Sequence, residues 1–66
     1  MPEPTMEYRG HTGIYGFDAS LGMFTGHVVA IRGDEVYFEG ASLEELRGSF
    51  ERAVDHYLAV IARDGG

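Results

Sequence analysis

Ser42-Leu43-Glu44-Glu45-Leu46-Arg47-Gly48-Ser49-Phe50-Glu51-Arg52-Ala53-Val54-Asp55-His56-Tyr57-Leu58-Ala59-Val60-Ile61 is the stretch on which the fold turns. Leu43, Leu46, Phe50, Ala53, Val54, Tyr57 and Ile61 recur at the three- and four-residue intervals that place side chains on one face of an α-helix. Ser42 with Glu45 makes a capping box, in which each side chain satisfies the other residue's otherwise orphaned backbone N–H. Arg63 near the end and Gly65 beyond it are stop signals, so the spacing predicts one amphipathic helix from about Leu43 to Arg63. Such a helix must lay its apolar stripe on something, and the upstream residues have to supply it.

Upstream of Gly40 the pattern is that of strands. Thr12 to Asp18 combines β-formers and glycines with Tyr15 and Phe17 on one face, and Asp18-Ala19-Ser20-Leu21-Gly22 has the polar and glycine content of a hairpin loop. Met23 to Ile31 is a second β-branched and aromatic run. Arg32-Gly33-Asp34-Glu35 then offers a tight connection in which Gly33 takes positive φ, and Val36 to Glu39 is a third strand. Loops this short force antiparallel pairing, because a parallel return needs a dozen or more residues. Residues 1–10, with Pro2 and Pro4, show no periodicity and read as an extended leader, with order beginning near Thr12. The expected fold is therefore α+β: a three-stranded antiparallel sheet packed on one amphipathic helix, β-β-β-α, spanning residues 11–66.

Alternation assigns the two faces of that sheet. Tyr15, Phe17, Phe24, Val28, Val36 and Phe38 point toward the helix, with Gly26 leaving room for the helix to approach. Ile14, Met23, Thr25, His27, Val29, Tyr37 and Glu39 fall on the opposite face, which is more apolar than a solvated sheet face needs to be. That row is the candidate partner or dimer interface.

Size and charge narrow the function. A chain of 66 residues and 7.3 kDa is a single domain with a marginal core, and without cysteine it has no disulfide or thiolate metal site to reinforce it. A homo-oligomer, dimer or higher, is expected on that ground. Net charge is -6 and the five basic residues, all arginine, are spread from Arg9 to Arg63, so no stripe lines up to neutralise phosphates and no direct nucleic-acid binding is expected. An acidic balance suits a basic partner, since complementary charge speeds encounter and rejects wrong partners; the same charge also serves solubility. Apolar runs are far short of the ~20 residues that cross a bilayer, and the first residues lack the features of a signal peptide, so no membrane association and a cytoplasmic location are expected by default.

Catalytic chemistry finds little footing. His11, His27 and His56 are scattered over leader, strand and helix without the spacing that presents two ligands to one metal. Asp18, Glu39 and Asp55 lie on different elements, whereas a two-metal nuclease holds its ions about 4 Å apart. Arg47 with Glu51 and Arg52 with Asp55 are helix-surface pairs, Arg32-Gly33-Asp34 is a hairpin turn, and the glycines form no phosphate-cradling loop between a strand and a helix. No catalytic residue, cofactor or metal site is expected.

Tyr8-Arg9-Gly10-His11-Thr12-Gly13, Gly22-Met23-Phe24-Thr25-Gly26 and Phe38-Glu39-Gly40-Ala41-Ser42-Leu43-Glu44-Glu45-Leu46, continued by Phe50, Asp55 and Tyr57-Leu58, together resemble the N-terminal domain of HicB-type antitoxins. The similarity runs from Tyr8 to about Ile61. It implies a partial ribonuclease-H-like fold stripped of its active site, holding a small basic ribonuclease toxin of the HicA type inactive in a type II toxin-antitoxin system. Family members usually open near the position of Met6, and many continue into a DNA-binding module beyond the position of Gly66, where this sequence ends. The expectation is a non-catalytic, toxin-neutralising binding domain; the alternative is a stand-alone structural or regulatory homo-oligomer without a toxin.

Overall fold

In the computed structural model, which describes residues 4–29 and 35–63, one antiparallel sheet carries one C-terminal helix. The sheet has four strands, not three: β1 (Thr5–Tyr8), β2 (His11–Asp18), β3 (Met23–Val28) and β4 (Tyr37–Gly40), paired in the order β1-β2-β3-β4. The extra strand comes from the supposed leader. Tyr8 pairs with His11 across a two-residue loop in which Arg9 (φ 52) and Gly10 (φ 81) both take positive φ, as the tightest hairpins require. Arginine is an unusual occupant of that conformation, and its guanidinium is tied down by Asp55 at 2.8 Å. The expected turn at Arg32-Gly33-Asp34 and the end of the second predicted strand, Ala30-Ile31, lie outside the described residues, as does Gly65.

Between β2 and β3 the Asp18 carboxylate accepts the backbone N–H groups of Ser20 (2.9 Å) and Leu21 (3.3 Å), and Gly22 (φ 69) closes the loop. Local hydrogen bonds of this kind make Asp a turn former.

The helix, α1 (Leu43–Arg63), has the bounds its periodicity predicts. Ser42 Oγ accepts Glu45 N–H at 3.2 Å, whereas the return arm of the capping box reaches one residue further back: Glu45 Oε1 accepts the N–H of Ala41 at 3.1 Å. Leu46, Phe50 and Val54 are fully buried and Tyr57 nearly so, and with Val28 and Phe38 from the sheet they form the core. Phe38 stacks on Phe50 with ring centroids 5.0 Å apart, and Tyr8 meets Phe50 edge-on at 6.5 Å. Met6 and Tyr8 of β1 also pack against this core, which draws the N-terminal segment into the sheet.

Several face assignments need correction. Phe17, expected in the core, is 58% exposed, because β2 carries it past the ground covered by the helix; it pairs instead with Phe24, edge to face at 5.1 Å. Leu43, at the start of the helical stripe, is likewise exposed. Gly26 does not receive the helix: the space where its side chain would lie is taken by the ring of its cross-strand neighbour Phe38 and by the Ile14 carbonyl. The close helix approach occurs at Gly40, where an added Cβ would collide with the backbone of Glu45 and Leu46.

Candidate protein-binding face

The strand register fixes which side chains share the face turned away from α1. Ile14, His27 and Tyr37 are aligned across β2, β3 and β4; Gly16, Thr25 and Glu39 form the next row; Asp18 and Met23 the one after. Val29, just past β3, donates its N–H to the Thr12 carbonyl at 2.7 Å and continues the alternation. All seven predicted interface residues, Ile14, Met23, Thr25, His27, Val29, Tyr37 and Glu39, thus fall on one side of the sheet. Ile14, Met23 and Thr25 are half-buried among their neighbours, while His27, Val29, Tyr37 and Glu39 are exposed, Tyr37 at 65%.

At the centre is a dish of about 310 Å³, whose lining includes Ile14, Thr25, His27 and Tyr37. Its floor is low because Gly16 has nothing within 4 Å of the position its side chain would occupy. On its flank the Tyr37 hydroxyl donates to Glu35 Oε1 at 2.6 Å, which raises the tyrosine pKa above its ordinary value, mainly through that bond and then through the nearby negative charge.

Strand β1 adds residues that sequence reasoning had left out. Thr5 and Glu7 stand beside Ile14 and Thr12 on the same face. Glu7, Asp18 and Glu39 therefore border the apolar centre, and the described arginines lie elsewhere: Arg9 bonds to the helix at Asp55, and Arg47, Arg52 and Arg63 belong to α1. Charge is segregated, with acid and no described arginine on the open sheet face and mixed signs on the helix. The signal for β1 was present in the alternation of Thr5-Met6-Glu7-Tyr8 and its mirror in His11-Thr12-Gly13-Ile14, but Arg9-Gly10 is an uncommon hairpin dipeptide.

On the helix side Asp55, expected on a solvated face, holds the β1–β2 hairpin. Its carboxylate accepts Tyr8 Oη (3.1 Å to each oxygen) and Arg9 Nη1 (2.8 Å). The Tyr8 hydroxyl is pushed above the ordinary tyrosine value, first by this hydrogen bond and then by desolvation, and the same carboxylate raises Arg9. Arg47 pairs with Glu51 at 3.3 Å as expected from its i,i+4 spacing, whereas Asp55 turns to Arg9 and away from Arg52.

Among the described residues no group of three or more His, Asp or Glu side chains is placed to hold a metal ion, and no helix is long and apolar enough to cross a membrane. His11, His27 and His56 sit on β2, β3 and α1 respectively. No protein-family model, curated protein or solved structure matches the chain.

Proposed function

We propose that this chain is a non-catalytic binding domain of the antitoxin type, which neutralises a small basic ribonuclease of the HicA class by covering it with the open face of its sheet. The observation that carries the reading is the character of that face: an apolar centre of Ile14, Met23, Val29 and Tyr37 bordered by Glu7, Asp18 and Glu39, with no described arginine. Interfaces of this composition combine a desolvated anchor with a charged rim that steers encounter. The resemblance to HicB-type antitoxins supplies the partner class, and the net charge of -6 agrees with a basic partner. Self-pairing through the same face is the alternative, as in a stand-alone structural or regulatory homo-oligomer. It would set Glu7, Asp18 and Glu39 against like charges, which favours the heterologous partner.

The test is to mix the purified chain with the product of the adjacent reading frame, which the reading requires to be a small basic protein, and measure binding and RNA cleavage. A tight complex is expected, its association rate falling as salt rises, with cleavage by the partner suppressed. Thr25→Arg places a cation at the middle of the face and is expected to weaken binding by roughly tenfold or more. Full binding by that variant, or no complex with any such neighbour, would remove the basis for the reading.

A further inference from the structure

Exposed carboxylates are all solvated, and what separates one from another is whether the fold already engages it. Three of them stand near the dish at Gly16. Asp18 Oδ1 accepts the N–H groups of Ser20 and Leu21, and Glu35 Oε1 accepts the Tyr37 hydroxyl at 2.6 Å. Glu39 differs from both. Its backbone N–H is closed by Ser49 Oγ at 3.2 Å, but its exposed carboxylate meets no hydrogen-bond donor and no cation among the described residues.

The strand register puts that carboxylate at one end of a trough. Gly16, Thr25 and Glu39 make one cross-strand row, and Ile14, His27 and Tyr37 make the row beside it. Because Gly16 brings no side chain and has nothing within 4 Å of where one would lie, the two rows leave the hollow of about 310 Å³ that reaches from β2 to Tyr37 on β4. Ile14, Thr25 and the largely exposed Tyr37 ring line it. Gly16 and Glu39 are two strand spacings apart, roughly 10 Å. Tyr37 and Glu39 are two residues apart on one strand, so an aromatic ring and an unengaged carboxylate flank the β4 end of the trough about 7 Å from each other.

We infer that this trough seats an arginine side chain of the basic partner, its stem lying across β3 beside Thr25 and its guanidinium held between the Tyr37 ring and the Glu39 carboxylate. The inference rests on the proposed function and adds to it the side chain that the face recognises. Stem and head fit for separate reasons. An arginine stem buries well on apolar surface while its head stays at the rim. The guanidinium is planar and weakly hydrated, so it stacks on a tyrosine while its N–H groups reach a carboxylate, a combination denied to the compact, strongly hydrated lysine ammonium. The bond from the Tyr37 hydroxyl to Glu35 anchors that ring and sets a further negative charge beside it. His27, in the middle of its row, borders the stem and not the head. An apolar knob would also fill the hollow, but it would strip water from Glu39 without replacing it. The described arginines of this chain do not compete for the seat, since Arg9 is tied to Asp55 and the others belong to α1.

Two titrations of the full chain test it. The first uses N-acetyl-arginine amide, with N-acetyl-citrulline amide as its uncharged counterpart of the same shape, and reads the backbone amide resonances of the labelled protein. Saturable shifts at Gly16, Thr25, Tyr37 and Glu39 are expected with arginine and not with citrulline. Gly16→Val, which fills the hollow, and Glu39→Gln, which keeps the shape and removes the charge, each weaken that binding by roughly fivefold or more. Glu44→Gln, the same charge change on the exposed start of α1, leaves it unaltered. In the second titration, against the product of the adjacent reading frame, Gly16→Val and Glu39→Gln raise the dissociation constant by roughly tenfold. Arginine shifts that are absent, scattered over the surface or matched by citrulline overturn the inference, as do folded Gly16→Val and Glu39→Gln chains that bind like wild type. A wild-type complex that forms in spite of those results leaves the proposed function standing; when no complex forms at all the proposed function falls, and the arginine titration still decides what the trough accepts.

Discussion

A single methyl group at Gly26 tests the packing scheme most sharply. A Cβ added there lies 2.6 Å from the Ile14 carbonyl oxygen and 2.6 Å from Cζ of Phe38, both well inside van der Waals contact. The carbonyl belongs to the backbone of the neighbouring strand, and the Phe38 ring is held against Phe50, so neither retreats without opening the β2–β3 ladder or moving the core. Overpacking of this kind costs about 1–3 kcal/mol, and removing a glycine from the unfolded chain returns about 0.4–1 kcal/mol. Because one clash is with backbone the upper end applies, and the net loss for Gly26→Ala is about 2 kcal/mol. A core of this size supplies no more than about 3–5 kcal/mol, so roughly half the stability is lost. At about 4–8 °C per kcal/mol for a domain of this length, Tm drops by about 8–16 °C. Gly16→Ala is the matched control: it lies on the same strand pairing, in the adjacent row and on the opposite face, with open space where its side chain would go. It is expected to hold or gain up to about 1 kcal/mol. Urea titrations with unchanged slope and thermal melts measure both. Equal stability of Gly26→Ala and wild type, or equal damage from Gly16→Ala, refutes the argument that Phe38 fills the glycine's place.

Two further outcomes follow from the caps and clasps. Ser42→Ala removes the acceptor for Glu45 N–H and lowers stability by about 1 kcal/mol, read as a shift in urea midpoint. Tyr8 and Tyr37 both have raised pKa values because their hydroxyls donate to Asp55 and Glu35, so the stability they contribute is fully present below the unfolded tyrosine value of about 10 and is lost as pH rises through the higher folded values. Denaturation midpoints therefore fall across that alkaline window, and the Tyr8→Phe, Tyr37→Phe double variant flattens the dependence; an unchanged slope in the variant would disprove the assignment.

The candidate face was largely legible before the structure, for a simple reason. In a sheet the side-chain period is two, so once Phe24, Val28 and Phe38 are assigned to the core, Thr25, His27, Tyr37 and Glu39 have no other side to occupy. Phe17 escaped this logic because parity assigns a face without saying how far the covering helix extends. Glu7 escaped because the alternation of Thr5–Tyr8 runs for only four residues and leads into the uncommon Arg9-Gly10 turn, so the strand is recognised by its pairing with His11–Ile14.

Local physics, acting over a few residues, is written directly in the sequence: the stripe from Leu46 to Tyr57, the Ser42 cap, the Asp18 turn, and with them the α1 bounds and the antiparallel order of β2, β3 and β4. Long-range contacts alone decided the rest. Tyr8 and Arg9 became a clasp only when the chain brought Asp55, 46 residues away from Arg9, within 2.8 Å, and Gly26 acquired its meaning only when the Phe38 ring took the vacant volume beside it. Contacts of that separation depend on how the helix lies across the sheet, a property of the packed whole that no run of neighbouring residues encodes.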